Sequence, residues 1–154
     1  MAVGIGFDFH KWSQEKRPLV LGGVEIPFNK GLNAHSDGDV VMHALIDALA
    51  GACAMPDIGD MYPDSEERYK DIPGRELLAP VLAVMRSALR AEIINVDIVI
   101  VLEEPRLSEY KDKIRKEIAS ALEIEADKVG VKAKTTEGLF SGGVYCVCAV
   151  QVDR

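Results

Sequence analysis

Segments with the period of a strand and segments with the period of a helix alternate along this chain, and their order limits the folds open to it. AVGIGFDFHKW reads as a strand over about 2–11. Side chains alternate faces along a strand, so Asp8 and His10 point one way and Phe7 and Phe9 the other. PLVLGGVEIP reads as a short strand pair turning at Gly22 and Gly23. Residues 37–52 read as a helix, with Val40, His43, Ala44, Asp47 and Ala48 at three-four spacing. Ser36 or Asp37 is its natural N-cap, and Gly51 suits its C-terminal end. PDIGDMYPDSEE is a loop by its turn chemistry. A second helix covers about 75–91, where Pro80 falls near the first turn or kinks it. INVDIVIVLEE follows as a strand, and SEYKDKIRKEIASALEI as a helix with an apolar stripe at Ile114, Ile118, Ala121 and Leu122. VGVKAKTT and GVYCVCAVQV close the chain as strands. This order implies an α+β domain, a mixed β-sheet with helices on one face. The other face then needs a layer of its own, and in a chain of 154 residues a second subunit is the expected source.

Composition narrows the function classes. Values of 48% hydrophobic and 28% charged residues are ordinary for a globular chain, and the length predicts one domain, 1–154. No uncharged apolar run approaches the roughly 18–20 residues that span a bilayer, so no membrane partner is expected. The N-terminus lacks a basic segment, and Asp8 and His10 interrupt its apolar stretch, which argues against a secretory signal. Three cysteines without CxxC spacing fit a reducing compartment, and a cytoplasmic location is expected. A net charge of −7 argues against nucleic-acid binding. An acidic chain that binds phosphates must supply positive potential locally, from metal ions, a few Lys or Arg, or backbone N–H groups.

The chemistry-bearing residues are few. The histidines are His10, His35 and His43, and AHSDGDVVMHAL holds two of them around a helix start. Asp8 and His10 on a neighbouring strand, with His43, supply three zinc ligands and leave the fourth tetrahedral position open. Asp47, one turn after His43, is placed to orient its ring. Taken singly, these features also read as a strand-edge pair and a core histidine. In KAKTTEG, alternation puts Lys132, Lys134 and Thr136 on one face and Ala133, Thr135 and Glu137 on the other. Hydroxyls and a carboxylate at a strand end suit a hard divalent ion bridged to phosphates. A solvated edge strand rich in β-favouring threonine is the plainer reading. Cys53, Cys146 and Cys148 read as core packing.

In combination, GFDFH, AHSDGDVVMHAL, the DIGDMYPD loop and VKAKTTEG resemble, in order and spacing, the family of 2-C-methyl-D-erythritol 2,4-cyclodiphosphate synthases, from about residue 3 to 152. The resemblance implies a homotrimer with active sites between subunits and a fold like that of the trimeric Bacillus chorismate mutase. It implies conversion of 4-CDP-2-C-methyl-D-erythritol 2-phosphate to the cyclic diphosphate and CMP, a lyase step of non-mevalonate isoprenoid biosynthesis. Zinc and either magnesium or manganese are the implied cofactors. By motif, Asp8, His10 and His43 match the zinc ligands, and His35 and Thr135 the positions that stabilise the transition state. Asp8, Phe9, His10, His35 and Ser36 match substrate-binding positions, as do Asp57, Ile58 and Gly59. The loop of Tyr62, Pro63, Asp64, Ser65 and Glu66 joins them around the methylerythritol and its phosphate. Leu102, Glu103, Glu104, Pro105, Arg106, Leu107 and Ser108 match the cytidine-binding loop. Lys134, Thr135, Thr136 and Glu137 match the diphosphate segment, with Glu137 as the ligand of a second divalent ion.

Two departures stand out. Many members carry threonine where Lys134 stands, and the Gly-Arg-Gly-Glu-Gly stretch common after T-T-E is replaced by GLFSGGVY. In many members arginines of that stretch line an axial cavity that accepts prenyl diphosphates. This chain has no cation between Lys134 and Arg154, so no such ligand is expected at its axis. The implied nucleophile is a phosphate oxygen of the substrate itself, whose second pKa of about 6 makes it anionic without a general base. The two glycines before Asp8 are expected to let the backbone approach the substrate. Two other readings remain: a zinc phosphohydrolase that directs water at phosphorus, and a non-catalytic trimeric zinc-binding module. Structural zinc usually takes four protein ligands, and only three cluster here.

Overall fold

The computed structural model describes residues 1–154. In chain order the elements are β1 (Ala2–Lys11), a hairpin of β2 (Leu19–Leu21) and β3 (Val24–Ile26), α1 (Val40–Ala52), the single turn α2 (Ile58–Met61), α3 (Gly74–Ser87), β4 (Glu92–Val101), α4 (Lys111–Leu122), β5 (Val129–Lys134) and β6 (Gly143–Asp153). The main sheet runs β1-β6-β4-β5, with β6 antiparallel to both neighbours and β5 parallel to β4. The mixed sheet expected from the pattern is therefore present. Val96, Ile98 and Ile100 of β4 and Val144, Cys146 and Cys148 of β6 are buried on one face. On that face α1 lies over β1 and β6, α4 over β5, and α3 packs on α1. All three cysteines are free and buried, as core packing requires. The other face is open: Val3, Ile5, Phe7 and Phe9 are each more than half exposed. Tyr145 joins this surface, 5.7 Å from Phe9 and 6.3 Å from Phe7 between ring centres.

At Gly4 and Gly6 helix α1 meets β1 with no strand side chain between them. A Cβ on Gly6 would lie 1.9 Å from the carbonyl oxygen of Ala44, and one on Gly4 1.9 Å from that of Ala48. The glycines therefore admit a helix, not the substrate as expected. Ala44, Ala48 and Ala52, four residues apart, give α1 the matching small stripe. This contact carries His43 to the strand that bears Asp8 and His10.

Several boundaries differ from expectation. Helix α1 begins at Val40, and its N-cap is Asp39 instead of Ser36 or Asp37. Asp39 Oδ1 accepts from the N–H groups of Val41 and Met42, each at 3.1 Å. The same carboxylate accepts from Gly22 at 2.8 Å and Gly23 at 2.6 Å. Both glycines have positive φ, 61° and 76°, as a tight hairpin turn demands. Burial and the charge of Asp37 push the Asp39 carboxyl up to about 6, against the pull of its N–H partners. The 56–67 segment includes the short α2, capped by Asp57, whose Oδ1 accepts from Asp60 N at 2.9 Å. Pro80 sits in the second turn of α3, which ends at Ser87. Strand β4 stops at Val101, so Leu102, Glu103 and Glu104 belong to a loop. Strand β5 stops at Lys134, and the alternation expected through Glu137 stops with it.

Candidate active site

Asp8 Oδ2 lies 3.0 Å from His10 Nε2 and 3.1 Å from His43 Nδ1, and the two imidazole nitrogens are 3.1 Å apart. A tetrahedral zinc with ligands at about 2.05 Å has ligand–ligand edges of about 3.3 Å. The triangle of Asp8, His10 and His43 fits one face of that tetrahedron after an outward movement of a few tenths of an ångström. Imidazole N–H groups can each donate to Asp8, but the two nitrogens facing one another cannot both donate along their shared edge. A divalent cation suits all three donors. Burial would raise the Asp8 carboxyl, but hydrogen bonds from His10 and His43 and their charges hold it well below the usual carboxylate range. Burial would lower the His43 imidazole, but Asp8, with Asp39 and Asp37 behind it, raises it above its ordinary value. A proton and a metal ion therefore compete for the same nitrogen.

The ring of His43 is oriented by Ser36, whose Oγ lies 3.0 Å from Nε2. Asp47, expected in that role, instead accepts the N–H of Ile58 at 2.8 Å and holds the start of α2. Side chains on a helix lean toward its N-terminus, so the imidazole tilts away from Asp47 and toward the loop that carries Ser36.

The triangle opens into a pocket of about 660 Å³ lined also by Asn33, His35, Ser36, Ile58, Gly59, Tyr62, Asp64 and Tyr69. His35 Nε2 lies 3.2 Å from the carbonyl oxygen of Glu66. Asp57, Pro63, Ser65 and Glu66 are not among the lining residues. Asp57 is engaged as a cap, and the Glu66 carboxylate pairs with Arg68 at 2.6 Å. Phe9 presents its ring to the opposite face of the sheet, while its N–H donates to Asp8 Oδ1 at 2.8 Å. Sequence reasoning missed Asn33 and Tyr69 on the pocket wall. It also missed Arg17, which donates to the carbonyls of Ala34 and Ser36. No local pattern marks such contacts, except that Asn33 directly precedes the A-H-S-D block.

A second pocket, of about 720 Å³, gathers Leu102, Glu103, Glu104, Pro105, Arg106, Leu107 and Ser108 with Lys134 and Thr135. Phe28 and Lys111 line it too, and sequence reasoning had not singled them out. Thr136 and Glu137 are not among its lining residues. Glu103 Oε1 accepts from the N–H groups of Thr136 at 2.7 Å and Gly138 at 3.1 Å, and from the Thr136 hydroxyl, folding the chain back after β5. Thr135 Oγ1 donates to Glu137 Oε1 at 2.7 Å. Phe9, Tyr145, Val101 and Lys134 form one row across the four strands. Three interstrand spacings put β1 and β5 about 14 Å apart in this row. Both pockets thus open at the same end of the sheet, toward its opposite edges.

A family model described as the YgbB family matches residues 1–153. A 2-C-methyl-D-erythritol 2,4-cyclodiphosphate synthase from Syntrophomonas wolfei is 50% identical over 158 residues, covering 100% of this chain and 99% of its own length. Among solved structures, a CDP-bound form of a synthase of that name aligns with a TM-score of 0.91 at 33% identity, over 98% of this chain and 99% of its own. A CDP complex from Plasmodium falciparum aligns with a TM-score of 0.83 at 29% identity, over 98% and 94% of the two chains.

Proposed function

The chain belongs to the YgbB family, and we infer that it converts 4-CDP-2-C-methyl-D-erythritol 2-phosphate to 2-C-methyl-D-erythritol 2,4-cyclodiphosphate and CMP in isoprenoid biosynthesis. The observation that carries this reading is the Asp8–His10–His43 triangle, open to a pocket at the sheet end that also bears the 102–108 loop and Lys134.

The step is an intramolecular displacement. An oxygen of the 2-phosphate bonds to the β-phosphorus, the bond from that phosphorus to the bridging oxygen breaks, and its electron pair leaves with CMP. Asp8, His10 and His43 would hold zinc, which when bound supplies a Lewis acid for the β-phosphate. The protein's remaining task is to fold the substrate back on itself, an entropic cost that binding can meet in advance. Arg106, Lys111 and Lys134 bring three cations to one pocket of a chain with net charge −7, where they can meet the diphosphate. His35 and Thr135 are assigned to stabilising charge as it moves, and Ser36 fixes the His43 ring. Magnesium or manganese is assigned to Glu137, an exposed carboxylate beside Thr135 at the end of β5.

This activity is assigned to one domain, 1–154, in a homotrimer of the chorismate mutase type, and to the cytoplasm, where three free thiols would persist. The open aromatic face of β1 and Tyr145 supports the trimer, because a contiguous apolar surface of this kind marks a protein interface. Packing copies on that face would let the metal-bearing pocket of one chain meet the nucleotide pocket of another.

Incubation with the CDP-methylerythritol phosphate substrate is the direct test. CMP followed by chromatography and cyclic diphosphate followed by phosphorus NMR are expected to appear in equal amounts. Release of inorganic phosphate without CMP would instead establish the hydrolase reading. Glu137→Gln is expected to keep zinc and to lose most activity at low magnesium, with partial rescue at high magnesium or manganese. The amide removes a charge and preserves the shape, so an unchanged magnesium dependence of rate would remove Glu137 from the ion site.

A further inference from the structure

We propose that Arg17 is a positioning residue for this reaction, whose guanidinium fixes the two walls of the metal-bearing pocket relative to one another. The proposal rests on the catalytic reading of that pocket. One wall is the segment 33–36 and the other the segment 62–72, and Arg17 reaches both from the chain just before β2. Its Nη1 donates to the carbonyl of Ala34 at 2.8 Å and its Nη2 to that of Ser36 at 2.6 Å. Nη2 also donates to Asp71 Oδ1, at 3.2 Å, two residues beyond Tyr69 of the second wall. The Arg17 side chain is only 18% exposed and its two carbonyl bonds are partly buried, which limits competition from water. The Asp71 carboxylate is 70% exposed, and its bond is the weaker part of the clamp.

Ser36 links this clamp to the metal ligands. Its carbonyl takes the Arg17 bond, and its hydroxyl lies 3.0 Å from His43 Nε2. His43 Nδ1 in turn faces Asp8 at 3.1 Å. Arg17, Ser36, His43 and Asp8 therefore form one chain of contacts, although Arg17 itself does not line the pocket. The walls meet at two further points: Asp71 N donates to the His35 carbonyl at 2.8 Å, and His35 Nε2 lies 3.2 Å from the Glu66 carbonyl oxygen. Asp71 adopts a positive φ of 53°, an unfavourable conformation for a non-glycine residue that its partners must hold in place. A planar guanidinium can bond two neighbouring carbonyls and a carboxylate at once. A lysine ammonium is a point charge that cannot span them.

The test compares Arg17→Met and Arg17→Lys with the parent chain in turnover, zinc affinity and CDP affinity. Arg17→Met is expected to lower kcat about 30-fold, since displacements near 1 Å can cost up to about 100-fold. Zinc affinity, read by calorimetry on metal-free protein, is expected to fall about tenfold, as for other residues that orient a ligand. CDP affinity is expected to stay within about twofold, because the 102–108 pocket lies near the opposite edge of the sheet. Arg17→Lys is expected to recover only part of both losses. Parallel losses of zinc and CDP affinity with a lowered Tm would reveal a general structural role and overturn the proposal. So would unchanged zinc affinity in Arg17→Met. Should the parent chain show no turnover, the catalytic reading fails, while the zinc and CDP titrations still decide whether Arg17 positions the metal site.

Discussion

Gly6→Ala is expected to lower the melting temperature by roughly 6–12 °C and to weaken zinc binding in the same variant. The added methyl would lie 1.9 Å from the carbonyl oxygen of Ala44 and 2.7 Å from the amide nitrogen of Ala48. Both are backbone atoms, so no rotamer change relieves the clash, and α1 must move away from β1. Overpacking of a core commonly costs about 1–3 kcal/mol, and a clash with helix backbone belongs at the upper end, about 3 kcal/mol. The displacement acts on one corner of the metal triangle in particular and lengthens the two edges that meet there. Asp8 and His10 both ride on β1 and keep their spacing, whereas His43 rides on α1 and leaves with it. Gly51→Ala in the same helix is the matched control. Its added Cβ meets only the Gly4 Cα, at 3.9 Å, an ordinary contact. Alanine is favoured over glycine in a helix by about 0.5–1 kcal/mol, so this variant is expected to melt slightly higher with zinc binding unchanged. Calorimetric melting and zinc titration of the two variants check both expectations. A Gly6→Ala protein melting within about 2 °C of the parent would show that helix and strand are not packed this closely.

The parts of the site that were legible in the sequence are those fixed by local periodicity. Alternation along β1 set Asp8 and His10 apart from Phe7 and Phe9, and the structure keeps that division, with the phenylalanines exposed on the open face. Helical spacing set His43 on the same stripe of α1 as Ala44 and Ala48, and it is the packing of that stripe on Gly4 and Gly6 that brings it to Asp8 and His10. Contacts between distant segments were not legible. Asp37 and Asp39 are chemically equal as caps, and Asp39 is the one whose carboxylate also binds the turn at Gly22 and Gly23. Asp47 has the correct spacing to orient His43, yet its partner is the Ile58 amide, eleven residues ahead. The run from Lys132 to Glu137 looked like continuous strand because threonines favour strands. It turns after Lys134, where Glu103 binds Thr136 and Gly138. Glycines announce a close approach without naming what approaches, and at Gly4 and Gly6 it is a helix.

His43→Ala is expected to abolish zinc retention and to reduce turnover by at least about 10³-fold while leaving the fold in place. Removing a group that merely orients a ligand costs about 10–100-fold in metal affinity or activity, and removing the ligand itself must cost more. Asp8 and His10 alone leave two donors, too few to close a zinc site. Alanine suits the helix interior, and the other buried residues of α1, among them Leu45, Ile46 and Leu49, still hold it against the sheet. Loss of metal therefore need not bring loss of structure, and circular dichroism should show the parent's helix content. Two further variants separate the possible partners of the imidazole. Ser36→Ala removes the hydroxyl 3.0 Å from Nε2 and is expected to weaken zinc binding about 10–100-fold. Asp47→Asn alters a carboxylate that bonds Ile58, and is expected to leave zinc affinity within about threefold of the parent. Elemental analysis of the purified proteins gives the decisive reading. Full zinc stoichiometry in His43→Ala would place the ion elsewhere, and a loss confined to Asp47→Asn would return the orienting role to that carboxylate.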